Sequence, residues 1–78
     1  MSLKPKKRSL TLRGHQTSVS LENRFWRAFC EIAQEKNIAI NALAAKIDSD
    51  RNLESSLASA MRDYILYYYI EKCDDLKR

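Results

Sequence analysis

One glycine and one proline in 78 residues leave this chain nearly without the residues that punctuate loops. Cysteine is equally scarce. Cys30 and Cys73 stand far apart, with no CxxC and no Cys/His cluster around them. That spacing excludes a disulfide framework and a zinc pattern and reads as two reduced thiols in a cytoplasmic protein. The single histidine, His15, has no serine, cysteine or carboxylate at a telling distance, so neither a catalytic triad nor a metal site is expected. Asp48, Asp50 and Glu54 lie close in sequence but lack the glycine and ligand ladder of a calcium loop. They read as caps and solvated charge. No apolar run reaches membrane-spanning length, and no apolar core follows the basic N-terminus as in a signal peptide. The expectation is a cytoplasmic protein that is not an enzyme, with no cofactor, no metal and no membrane partner.

What is present is 45% apolar residues, enough for a folded, helix-rich domain. A lone domain this short buries too small a share of its surface to be comfortably stable. With disulfides and metal excluded, pairing with a second copy is the remaining source of buried area. The net charge of +4 belongs to one end of the chain. Lys4, Lys6, Lys7, Arg8 and Arg13 fall within the first fourteen residues with no acidic residue among them, and the remainder is near balance. A basic segment on a near-neutral body suits a polyanion such as nucleic acid; it also suits a solvated tail.

Residues 1–8 read as a flexible basic arm and residues 73–78 as a C-terminal tail. Between them, 9–13 (SLTLR) and 15–21 (HQTSVSL) alternate polar and apolar positions, with Gly14 marking a bulge or turn. Thr17, Val19 and Leu21 point one way, and Gln16, Ser18 and Ser20 the other. No other segment clearly reads as a strand partner, so the strand is expected to pair with its own copy, around Ser18. From residue 22 the period changes. Phe25, Phe29 and Ile32 mark an amphipathic helix over 22–36, closed by Lys36-Asn37. Ile40, Leu43, Ala44 and Ile47 mark a second helix over 39–47, broken by Asp48-Ser49-Asp50-Arg51-Asn52. Leu53, Leu57, Ala60, Met61, Tyr64, Ile65 and Tyr68 mark a third over 53–72. The run Tyr64–Ile70 (YILYYYI) is apolar nearly all round and is expected in a dimer interface or clamped over the other helices. A strand is the competing reading of that run; the helical LESSLASAMRD leading into it favours helix.

The stretch KKRSLTLRGHQTSVSLENRFW, followed by a bend near Asn37 and a helix opening at Ile40-Asn41-Ala42-Leu43, resembles the ribbon-helix-helix family. It is most similar to a bacterial subgroup with a basic arm, an LRGH segment and the Phe25-Trp26 pair. The resemblance covers about residues 6–70. It implies a mainly α fold, β-α-α plus a third helix over 9–72, with strands pairing between two subunits of an intertwined homodimer. It implies a DNA-binding protein, a transcriptional regulator of repressor type, whose dimeric two-stranded ribbon enters the major groove of double-stranded DNA. By position, Gln16, Ser18 and Ser20 would read bases. Lys6, Lys7, Arg8 and Arg13 would contact phosphates, with Ala39, Ile40 and Asn41 clamping another at the start of the second helix. Thr17, Val19, Leu21, Phe25, Phe29, Leu43, Ile47, Tyr64 and Tyr68 would form the dimer interface.

Three features depart from the family pattern. Asn37 stands where glycine is common, a small cost because asparagine tolerates left-handed backbone. Ala39 stands where a capping serine or threonine is common, which costs about 1 kcal/mol. None of positions 16, 18 and 20 carries arginine, the commonest guanine reader. The alternative function is a small dimeric interaction module, antitoxin-like or an adaptor, that docks a protein partner through its aromatic third helix.

Overall fold

The computed structural model of the chain describes residues 4–76. Two strands, β1 (Lys6–Leu12) and β2 (His15–Leu21), precede three helices, α1 (Asn23–Glu35), α2 (Ile40–Asp50) and α3 (Leu57–Leu76). This is the β-α-α order with a third helix that the sequence implies. The strands form one two-stranded antiparallel sheet, with Leu12 opposite His15, Ser9 opposite Ser18 and Lys6 opposite Leu21.

The partner of β2 is therefore β1 of the same chain, and a second molecule is not needed to supply it. The cause is local. Arg13 and Gly14 both take positive φ, 50° and 83°. That is the pattern of the two-residue hairpin turn whose twist matches paired strands. β1 also begins at Lys6, inside the segment expected to be a flexible arm, so Lys6, Lys7 and Arg8 are held in the ladder. Residues 1–3 of the expected arm and 77–78 of the expected tail lie outside the described residues.

One face of the hairpin closes the core. Leu10, Leu12, Val19 and Leu21 pack with Phe29, Ile32 and Ala33 of α1, Leu43, Ala44 and Ile47 of α2, and Met61 and Ile65 of α3. Five residues expected at a dimer interface, Val19, Leu21, Phe29, Leu43 and Ile47, are between 0% and 6% exposed in the single chain. They have almost no surface left for a partner and belong to the chain's own core. Phe25, Tyr64 and Tyr68 are half-buried against it, and Thr17 is exposed near the hairpin tip.

The helix ends follow from their residues. After α1, Asn37 takes φ 57° and its N–H reaches the Gln34 carbonyl, while the Ile38 N–H reaches that of Ala33. This pair of bonds is a Schellman closure, with Ile38 packed on the core. α2 runs three residues past its expected end, because Asp48 finds partners in Arg13 and Arg51 instead of breaking the helix. Asn52 turns the linker, its side chain accepting from the Glu54 N–H. α3 starts at Leu57 with Ser56 as its cap, Oγ accepting from the Ser59 N–H at 3.1 Å. Leu53 is consequently in the linker, 92% exposed, and not on the apolar stripe. Arg62 of α3 grips Glu22 at 2.9 Å, and Lys72 grips Glu35 at 2.8 Å, tying both ends of α1 down.

Nothing lies within 4 Å of a Cβ built on Gly14, so its role is conformational. Gly14→Ala is expected to lower unfolding free energy by about 1–2 kcal/mol in urea melts, because the turn needs left-handed backbone there. The carboxyls of Glu22, Glu35 and Asp48 are all held below their ordinary values. Hydrogen bonds dominate: first its own backbone N–H and then Arg62 for Glu22, Lys72 and then Tyr68 for Glu35, Arg51 for Asp48. A group with a lowered folded pKa stabilises above its unfolded value and ceases to as pH falls through the folded one. Urea midpoints are expected to drop as pH goes below the ordinary glutamate value of 4.5. Glu22→Gln is expected to flatten part of that slope.

Candidate nucleic-acid interface

Residues opposite one another in an antiparallel pair share a face. Gln16, Ser18 and Ser20 therefore stand beside Thr11, Ser9 and Lys7 on the side of the hairpin away from the core. All six are exposed. The ribbon face is thus polar along both strands, and one chain supplies six such side chains where two copies were expected to. Ser9 and Thr11 are new members; their signal in the sequence was the alternation of SLTLR, legible once β1 has a partner.

The ladder also orients the backbone. Hydrogen-bonded pairs alternate with non-bonded ones, and the pair flanking the two-residue turn, Leu12 and His15, is bonded. The backbone groups of Ser9, Thr11, Gln16, Ser18 and Ser20 hence point to the outer edges. Two contacts agree with this. The Thr11 N–H donates to Asn41 Oδ1 at 3.1 Å, and the Ser20 carbonyl accepts from Arg62 at 3.3 Å. Among the described residues no hydrogen bond reaches the outward backbone groups of Gln16 and Ser18, and both residues border a cleft of about 610 Å³ shared with Asp48, Arg51 and Leu57.

The Thr11–Asn41 bond places the start of α2 against the edge of β1. Ala39 caps α2 in extended conformation without a side-chain bond, and the first intrahelical bond there joins the Leu43 N–H to the Ala39 carbonyl. The amides of Ile40, Asn41 and Ala42 are left without intrahelical partners, the usual condition of a helix start. They lie beside the polar ribbon face. Asn41 thus has a role that spacing did not reveal: its side chain ties helix to ribbon.

The basic residues divide into two kinds. Lys6 and Lys7 are exposed on β1. Arg8 lies on the core side, its guanidinium 5.4 Å from the Trp26 ring centre and hydrogen-bonded to Asn23 Oδ1. It is part of the packing between hairpin and α1, and a phosphate contact would have to break that stack. Arg13 sits at the hairpin tip, paired with Asp48 at 2.9 Å. His15 is exposed next to it.

Among the described residues no group of three or more His, Cys, Asp or Glu is placed to hold a metal ion. Cys30 and Cys73 are both free thiols. No helix of the described residues is long and apolar enough to cross a membrane.

No curated protein and no solved structure matches the chain. The sequence does match the family model of the ribbon-helix-helix domain over residues 5–69, nearly the whole hairpin-and-helices unit. On that match and on the order of its elements, the chain belongs to the ribbon-helix-helix family, whose domains typically bind DNA as transcription regulators.

Proposed function

We propose that this protein is a sequence-reading DNA-binding regulator that lays the outer face of its hairpin in the major groove. The observation that carries the reading is that face: six exposed polar side chains on a two-stranded ribbon. The groove, about 12 Å wide, admits a ribbon of this size. Gln16 suits adenine with its amide, and Ser18 and Ser20 can each donate and accept. Lys6 and Lys7 supply charge to the phosphates, and the free amides of Ile40 and Asn41, with Ala39 before them, supply a neutral clamp. Arg8 is left out of the contact set because Trp26 and Asn23 hold it.

The uncovered edge of β2 favours a homodimer as the working form. A second copy pairing there around Ser18 would make a four-stranded sheet whose two central strands carry both copies of Gln16, Ser18 and Ser20, and that central pair is then the ribbon that meets the groove. Unpaired strand edges readily take a further strand. The Ser18 N–H faces out and is not used in pairing with β1, so Ser18→Pro leaves the hairpin ladder its bonds and removes one donor from each copy at the dimer contact. Sedimentation is expected to show a dimer for the parent and a monomer of unchanged helix content for Ser18→Pro. A parent that sediments as a monomer at micromolar concentration contradicts the dimer.

The second reading, docking of a protein partner through α3, rests on the exposed Leu66, Tyr67 and Ile70. Salt separates the two. Binding to duplex DNA is expected to weaken steeply from about 50 to 200 mM salt, whereas an apolar contact at α3 is expected to change little. Gln16→Ala is expected to cost roughly 1–3 kcal/mol on a site selected from random duplexes and much less on random DNA. Equal loss on every duplex would mean that the ribbon does not read bases.

A further inference from the structure

Two arginines of the hairpin face opposite fates. Arg8 is committed to the interior. Arg13 is held by one ion pair at the surface, its side chain 57% exposed against 24% for Asp48. The Asp48 carboxylate is shared. One oxygen takes Arg13 at 2.9 Å and the other takes Arg51 Nε at 2.8 Å. Arg51 is itself fixed, its Nη1 donating to the Ser55 carbonyl at 2.7 Å. If Arg13 leaves, Asp48 keeps a partner and no buried charge is stranded. Exposed pairs of this kind are weak. Carboxylate and phosphate offer a guanidinium the same chemistry, oxygens that accept charge-assisted N–H bonds.

We propose that Asp48 occupies Arg13 in place of a DNA phosphate, so that Arg13 is a reserve cation handed to the backbone when the hairpin seats in the groove. Asp48 then sets affinity without touching DNA. It subtracts from binding what it costs to pull Arg13 away. Arg51 makes this exchange possible by holding the vacated carboxylate. The inference rests on the DNA-binding reading above and adds to it a residue on α2 that has no place on the ribbon face.

The test uses the full chain and a labelled random duplex of about 20 base pairs, followed by fluorescence anisotropy across a salt series. Arg13→Gln is expected to weaken binding and to reduce the slope of log affinity against log salt by about one unit, the signature of one lost phosphate contact. Asp48→Asn keeps a hydrogen-bonding group for Arg51 and is expected to tighten binding several-fold at an unchanged slope. In the Arg13→Gln background the same substitution is expected to lose most of that gain. Circular dichroism melts establish that each variant is folded; the Arg13→Gln slope alone tests the transfer should Asp48→Asn unfold. An unchanged slope in Arg13→Gln overturns the proposal, because Arg13 then never reaches a phosphate. An equal gain from Asp48→Asn in both backgrounds overturns it too, because Asp48 then acts only as a repelling charge. A parent chain that binds no duplex at any salt removes the DNA-binding reading itself, an outcome distinct from binding that ignores position 48.

Discussion

Burial of one hairpin face is the constraint on which the rest of the molecule depends. Leu10, Leu12, Val19 and Leu21 form an apolar strip that two strands alone could not keep from water. Laid on Phe29, Ile32, Leu43, Ala44, Met61 and Ile65, it becomes one side of a shared core. The period of a strand is two, so fixing that strip inward fixes Ser9, Thr11, Gln16 and Ser18 outward with no further choice. The polar ribbon is the reverse side of the hydrophobic core. A slip of one residue in register would expose the strip and bury the polar set.

The helices hold the ribbon from its two edges. Asn41 at the start of α2 takes the Thr11 amide on the β1 side, and Arg62 of α3 takes the Ser20 carbonyl on the β2 side. Arg62 also binds Glu22 at the junction of β2 and α1 and stacks over Phe25 at 5.7 Å. One side chain thus joins strand, junction and two helices. On the β2 edge, from the Arg62 clasp toward the turn, Gln16 and Ser18 border an open cleft. The same arrangement sorts the positive charge: Arg8 and Arg62 are half-buried in internal contacts, whereas Lys6, Lys7 and Arg13 stand exposed on the hairpin.

The sequence by itself determined the period of each element, hence which residues are apolar and which way each strand faces. Val19 and Leu21 opposite Gln16 and Ser18, the stripe of Phe29 and Ile32, and the left-handed Asn37 follow from local chemistry that acts over a few residues. Gly14 signalled a turn, yet the identity of the strand's partner did not follow from it. Pairing joins residues up to fifteen apart, Lys6 with Leu21, and depends on whether Arg13 accepts positive φ beside Gly14. Only the tertiary structure decided that the strands meet within one chain, and so that Val19, Leu21, Phe29, Leu43 and Ile47 face their own core. Only it decided the fate of each charge. Arg8 and Lys7 are neighbours in sequence and alike in composition, but the alternation sends one under Trp26 and the other to the open face. Asp48 looked like a helix breaker, but Arg51 three residues on and Arg13 from the hairpin both bind it. The Arg13 contact is long-range, and no local pattern encodes a distance between side chains separated by thirty-five residues.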